Sequence, residues 1–356
     1  MSTGYGARAL QRLPAIAALC ALSACCEFSG PRWHGPRTRN FDGEKFFNQI
    51  PTGAPSAGPI FRWAISRVRV RWPKWIDVPP APPPPDHVGD GELRVTFINH
   101  ATVLIQIDGL NLLTDPIWGD IAGPTPYLGS SRHRPPGVRF TDLPHIDAVL
   151  ISHDHYDHLD MATLQSLEAA HHPRIVAGLG QAALLAQYGL SRVTELDWWR
   201  WTPIGGLRIW GVPARHNCRR GACDGNGRLW LGFLLRSRFG DVYFAGDTGY
   251  GPHFEKIADR FGAPRLALLP IAPGTPRELF APIHLDQRDA VRAARVLHAQ
   301  VTIPIHFGTF AQGDEGDGEA EAKLGSELRA PGSPRFVILQ NGGSFSFTSS
   351  PAGGGS

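Results

Sequence analysis

Nine residues, Ser152-His153-Asp154-His155-Tyr156-Asp157-His158-Leu159-Asp160, constrain this chain more than any other feature. Three histidines and two aspartates fall within six positions, directly after the apolar run Ala148 to Ser152 and before a helical pattern that Asp160 is placed to cap. Burying so many imidazoles and carboxylates together is costly in desolvation and repulsion unless a cation sits among them. An exposed histidine patch is the plainer reading. The strand-loop-helix setting favours a metal site, because a loop there turns several side chains inward at once. His153 and His155, two apart, are placed to face one ion. Asp157 and His158, displaced by the following turn, are placed to face a second about 3.5–4 Å away, the spacing of paired metals.

The flanking sequence has the texture of layered sheets and helices. Short β-rich runs are expected at Leu93 to Ile98, Val103 to Ile107, Leu110 to Thr114, Ala148 to Ser152 and Leu207 to Val212. Others are expected at Leu229 to Leu235, Val242 to Ala245, Leu266 to Leu269, Val301 to Ile305 and Phe336 to Leu339. Apolar residues recur at three and four in Asp160 to Ala170, Gly180 to Gln187 and Asp286 to His298, which predicts helices there. Strands interleaved with helices indicate one layered domain, assigned to residues 91–345 and followed by a flexible tail at 346–356. With 42% hydrophobic residues, a chain of 356 has enough apolar side chain to fill such a core.

The H-x-H-x-D-H pattern resembles the signature of the metallo-β-lactamase fold superfamily. That resemblance implies an α+β fold, the four-layer αββα sandwich, and further ligands arriving in order on loops after β runs. His216, in Val212-Pro213-Ala214-Arg215-His216, would complete the first site with His153 and His155. Asp247, in Ala245-Gly246-Asp247-Thr248, would bridge both ions, and His306, in Ile303-Pro304-Ile305-His306, would complete the second site with Asp157 and His158. Within the superfamily, Phe41-Asp42-Gly43-Glu44-Lys45-Phe46-Phe47-Asn48, Asn99-His100-Ala101-Thr102, Glu195-Leu196-Asp197-Trp198-Trp199 and Arg219-Arg220-Gly221 are similar to the N-acylphosphatidylethanolamine-hydrolysing phospholipase D group and its bacterial relatives. In that group a further histidine precedes a late helix. His284 falls at that place and is expected to contact the phosphate or the departing alkoxide, beside Asp157 as the second catalytic residue.

The resemblance therefore implies a metal-dependent hydrolase with a binuclear centre, acting as a phosphodiesterase of phospholipase D type. From N-acylphosphatidylethanolamine it would release an N-acylethanolamine and a phosphatidic acid. A lactonase or other carboxylic-ester hydrolase is the alternative, and a non-catalytic metal-binding lipoprotein is a third reading. Against the third stands the mixed nitrogen and oxygen donor set, since structural zinc is usually enclosed by four protein ligands, often sulfur-rich. Two divalent ions are expected, zinc first, with iron or manganese compatible with the same donors.

The N-terminus carries its own expectations. Arg8 and Arg12 precede Leu13 to Ala24, an apolar stretch too short to span a bilayer, which reads as an export signal over residues 1–24. Leu22-Ser23-Ala24-Cys25 resembles the bacterial lipoprotein signal, making Cys25 the candidate lipid attachment site; a frayed helix with a chance cysteine is the other reading. The first reading puts the protein in the bacterial cell envelope, facing the periplasm or exterior, and the second leaves it cytoplasmic. Export permits disulfides. Cys20 leaves with the signal, Cys26 is the odd one, and Cys218 and Cys223 are either a local bridge or two free thiols.

Residues 25–90 read as a Pro- and Arg-rich arm ending in Pro79-Pro80-Ala81-Pro82-Pro83-Pro84-Pro85, an extended polyproline segment. There Arg62, Arg67, Arg69, Arg71 and Lys74 interleave with Trp63, Trp72 and Trp75. They either meet an anionic membrane surface or pack their indoles on the domain. A net charge of +3 with 19% charged residues excludes a polybasic nucleic-acid binder. Expected partners are a phospholipid or other ester substrate and a membrane surface.

Overall fold

The computed structural model describes residues 26–51, 57–67, 70 and 72–347. Residues 1–25, on which the expected export signal and Cys25 fall, Arg69 and Arg71 of the arm, and the residues beyond 347 lie outside the described residues.

One helix, α1 (Ala57–Ser66), belongs to the arm. The first sheet then opens as an antiparallel meander of β1 (Leu93–Asn99), β2 (Thr102–Ile107) and β3 (Leu110–Thr114). Asp108 and Gly109 turn β2 into β3, both at positive φ as a tight two-residue hairpin requires. A small hairpin of β4 (Ile121–Thr125) and β5 (Leu128–Ser131) follows outside the sheet. The sheet continues in parallel through β6 (Ala148–Ile151), β7 (Arg174–Gly178) and β8 (Val193–Leu196), linked by α2 (Met161–His171) and α3 (Gln181–Ala186).

The second sheet is antiparallel through β9 (Trp201–Ile204), β10 (Leu207–Val212), β11 (Gly232–Arg236) and β12 (Val242–Phe244). It turns parallel through β13 (Leu266–Pro270) and β14 (Val301–Ile305), with α4 (His253–Phe261), α5 (Arg277–Phe280) and α6 (Gln287–Leu297) in the connections. Last come α7 (Glu319–Glu327) and β15 (Ser344–Phe347), which pairs with β1 at the edge of the first sheet.

Period-two alternation builds the layers, since successive side chains of a strand point to opposite faces. On β6, Ala148 and Leu150 enter the core shared with the second sheet, whereas Val149 and Ile151 join Leu164 and Leu167 of α2 and Leu184 of α3. On β2, Val103 and Ile105 point inward and Leu104 outward. Across the second sheet, α6 buries Ala290, Ala293, Ala294 and Leu297 and packs against β13 and α4. The protein is thus a helix-sheet-sheet-helix sandwich, the four layers that the resemblance implies. Among the described residues no helix is long and apolar enough to cross a membrane.

Two expectations need correction. Phe336 to Leu339 do not form a strand; only Phe336 bridges Thr302 of β14. Further pairing would run along β14 to Pro304, which has no N–H to donate. The segment before residue 90 is more than a linker. Phe41 and Phe46 are 1% exposed and pack with Trp33 into the main core, so residues 33–48 belong to the folded body. Of the arm's indoles, Trp63 donates to Asp314 and Trp72 to the Glu315 carbonyl, while Trp75 remains 48% exposed.

Candidate metal centre

The candidate residues converge at one rim of the sandwich, each delivered by a loop leaving a strand. The 153–158 loop follows β6, His216 follows β10, Asp247 follows β12 and His306 follows β14. His284 lies between α5 and α6. Gly246 makes the approach of Asp247 possible. At its φ of +58° an added Cβ would lie 2.5 Å from the Ser152 Cβ, so only glycine lets β12 pass that close to the loop after β6.

Asp247 Oδ2 is the hub. His306 Nε2 lies 3.1 Å from it, His158 Nε2 3.2 Å, His216 Nε2 3.7 Å, His153 Nε2 3.8 Å and His284 Nδ1 3.7 Å. On one side His155 Nδ1 stands 2.9 Å from His153 Nε2 and 3.2 Å from His216 Nε2. On the other, Asp157 Oδ2 is 3.3 Å from both His158 Nε2 and His306 Nε2. The structure therefore brings all seven candidate ligands and His284 together, in two groups that share one carboxylate.

The electrostatics fit cations in both groups. Burial, aided by the neighbouring imidazoles, pushes His153 well below its ordinary value, and burial pushes His216 down to about 3, so both are held as the neutral ligand form. Burial opposes ionisation of Asp247 and Asp157, yet the adjoining histidines hold both carboxyls well below the usual carboxylate range. Two buried carboxylates demand positive charge. Supplied by protons alone, it falls on His158 and His306: against the effect of burial, Asp247 and Asp157 hold His158 well above its ordinary value and raise His306 to about 9. Divalent cations meet the same demand with every imidazole acting as a neutral donor. Asp247 Oδ1, buried with no hydrogen-bond partner among the described residues, is a donor left available for that purpose.

Several supporting residues were not foreseen from the sequence. Asp115, after β3, accepts His158 Nδ1 at 2.7 Å and the Ser152 N–H at 2.7 Å, the carboxylate-behind-histidine arrangement that fixes a ligand's tautomer. Asn48 accepts the His216 N–H and donates to its carbonyl, so the arm braces a candidate ligand directly. His100, in the β1–β2 turn, reaches Asp157 Oδ2 with Nε2 and packs its ring against that of His306, tilted 45° with 3.9 Å between centroids. His100, Asp115 and His306 all hold positive φ, uncommon for residues other than glycine. The available signals were the segments Phe41 to Asn48 and Asn99 to Thr102, which contain Asn48 and His100 but give neither a role.

The loop after β10 carries His216 of the first group, and here the cysteine expectation is overturned. Cys223 bridges Cys26, 197 residues away, and Cys218 is a free, buried thiol. Cys218 points into the core beneath its loop, while Cys223 faces the N-terminal arm, which runs alongside. Ser29 Oγ accepts the Cys223 N–H, and Gly30 donates to Asp224. Beside this loop a cavity of about 540 Å³ reaches His155.

Residues 110–307 match the β-lactamase superfamily domain, and the chain belongs to that family. It is 35% identical over 240 residues to the N-acyl-phosphatidylethanolamine-hydrolyzing phospholipase D 1 of Caenorhabditis elegans, across 64% of this chain and 67% of that one. It is 30% identical to a metal-dependent hydrolase of Methanopyrus kandleri, covering 61% of this chain and 85% of the relative. Among solved structures, the metallo hydrolase Igni18 of Ignicoccus hospitalis superposes with a TM-score of 0.55 at 21% identity, over 72% of this chain and 99% of that one. The protein is a metal-dependent hydrolase of the metallo-β-lactamase fold.

Proposed function

We propose that the protein is a phospholipase D-type phosphodiesterase acting on N-acylated phospholipids such as N-acylphosphatidylethanolamine. The observation that carries the centre is the arrangement of five imidazoles around Asp247 Oδ2 in two separable groups. The similarity to the worm phospholipase D supports the substrate class. His153, His155, His216 and Asp247 would hold one divalent cation; Asp157, His158, His306 and Asp247 would hold the other. When bound, such a pair supplies Lewis acidity toward phosphate oxygens and lowers the pKa of a bound water toward about 7.

The rest falls to side chains. Asp157 presents a carboxylate oxygen at the second group and orients the attacking water by accepting a hydrogen bond. His284 Nδ1 is buried beside Asp247 and has no hydrogen-bond partner among the described residues. It is free to hydrogen-bond the phosphate or the departing alkoxide. Buried Asp115 and His100 keep His158 and Asp157 aimed. The membrane belongs to this reading too. With Cys25 as lipid attachment site in the cell envelope, the anchor is the residue next to Cys26, whose bridge to Cys223 stands at the cavity's edge.

The test is hydrolysis of a phospholipid panel by metal-replete protein, with products identified by mass spectrometry. N-acylethanolamine and phosphatidic acid are expected, with two metals per chain, and loss of turnover in His155→Ala and Asp247→Ala. Wild-type-like turnover in either variant, or cleavage confined to carboxylic esters and lactones, sinks the proposal.

A further inference from the structure

The cavity beside His155 has a charge pattern that the proposed reaction does not require. Arg32, Lys45 and Arg219 line it, with no carboxylate among the lining residues. None of the three forms a salt bridge among the described residues, whereas Arg67, Arg134, Arg228 and Arg277 are each paired with aspartate. Among the described residues Arg32 donates to the backbone carbonyls of Cys223 and Glu44 alone. The guanidinium of Arg219 lies over Gly225, where an added Cβ would come within 3.3 Å of it. Trp63, Leu279, Phe280 and Ile283 line the same cavity, with Trp63 and Phe280 edge to face at 5.7 Å.

Three cations with no ion pair among the described residues, gathered from the arm and the loop after β10, line one chamber together with His155, a candidate metal ligand. N-acylphosphatidylethanolamine carries a single negative charge, on the phosphate held at the metal groups, and leaves the chamber's cations unanswered. Acylation of a headgroup amine removes its positive charge. A headgroup that also carries a carboxylate then presents an unbalanced anion a few bonds from the scissile phosphate.

We infer that the Arg32, Lys45 and Arg219 chamber binds a second anionic group on the substrate's headgroup. The preferred substrates are then N-acylated phospholipids whose headgroup bears a carboxylate. This rests on the phospholipase D reading and specifies its substrate. The reaction needs no further reactant: water oxygen bonds to phosphorus, the phosphorus–headgroup oxygen bond breaks, and the leaving oxygen takes a proton. From an N-acylphosphatidylserine the products are phosphatidic acid and an N-acylserine. The apolar wall accommodates the methylene part of the headgroup and the start of its acyl chain.

The experiment compares kcat/KM for short-chain N-acylphosphatidylserine and N-acylphosphatidylethanolamine in neutral detergent, where no charged membrane contributes. Charge-assisted contacts to the carboxylate predict a preference of about tenfold or more for the serine lipid in the wild type. The ratio is expected to fall toward one in Arg219→Gln. Because Arg32 also ties the arm to Cys223, Lys45→Gln, whose side chain is exposed and forms no hydrogen bond or ion pair among the described residues, is the second variant and is expected to lower the ratio as well. Equal turnover of both lipids by the wild type overturns the chamber and leaves the phospholipase reading standing. Turnover of neither overturns the phospholipase reading. Calorimetry with N-acetyl-glycerophosphoserine and N-acetyl-glycerophosphoethanolamine then decides the chamber: tighter serine binding that Arg219→Gln abolishes upholds it, and equal binding refutes it.

Discussion

His100 Nε2 lies 2.9 Å from Asp157 Oδ2, and the His100 carbonyl accepts the His306 N–H at 2.7 Å. One residue of a β-turn thus holds two of the four candidate ligands of the second group, one by side chain and one by backbone. Gln312 Nε2 donates to the same Asp157 oxygen at 2.6 Å, so both contacts restrict which way the carboxylate faces.

His100→Phe keeps a ring against His306 but removes the donor, whereas His100→Gln carries an amide N–H to about the same point. The phenylalanine variant is expected to bind metal at the second group about 10–100-fold more weakly. The other metal keeps its affinity, and the glutamine variant recovers most of the loss. Competition with a chelator of known affinity measures this, and two tight metals in His100→Phe would exclude a positioning role.

Arg228, fully buried, pairs with Asp154, which lies between His153 and His155, and with Asp224 in the loop after β10. Its Nη1 also donates to the Pro31 carbonyl. Arg228→Met leaves two buried carboxylates facing each other and is expected to cost about 3–5 kcal/mol. Denaturant titration reads the shift in midpoint. Adding Asp154→Asn is expected to cost less than the sum of the single changes, because the two residues share one interaction; strict additivity would contradict the pairing.

The Cys26–Cys223 bridge closes a loop of 197 residues, for which the chain-entropy account gives on the order of 5 kcal/mol. Reduction is expected to lower the thermal midpoint and to loosen the arm from the cavity wall. Thiol titration of the unfolded, unreduced chain from residue 26 onward should find one reactive sulfur, Cys218. Three would show the bridge to be absent.

His253, at the start of α4, is buried against Thr248, and burial lowers its pKa to about 3 from 6.5. The unfolded chain takes up a proton at this position below about 6.5 and the folded chain does not. Its contribution to stability is therefore complete above that pH and is lost as pH falls toward 3, by at most about 1.4 kcal/mol per pH unit. His253→Gln should flatten the decline of the denaturation midpoint with acid relative to wild type. Parallel slopes would show that His253 is not held neutral.

Much of the scaffold is legible locally. Leu110 to Thr114, Leu207 to Val212 and Val301 to Ile305 are strands with the bounds that their apolar runs predict. Asp160 sits at the N-cap of α2 as expected, although its carboxylate accepts the Gly119 N–H and the Thr163 hydroxyl instead of a helix N–H. Less legible are β7, β8 and β9. Each is five residues or fewer, and β7 is buried by neighbours on both faces, so period two has little room to show. Helix α4 begins after Pro252 inside a polar stretch and gives little signal until its Phe254 and Ile257 face the second sheet.

The chain's residue order alone determined the chemistry on offer: a histidine and aspartate loop after a strand, and later donors each following an apolar run. Strand period and loop composition are local properties, set within a few residues. Tertiary structure decided what cannot be read locally. Cys26 pairs with Cys223, His100 lies behind Asp157, and Asn48 braces His216 across 168 positions. Such pairings depend on how two sheets stack and where the arm crosses them, and that is settled by the burial of the whole core.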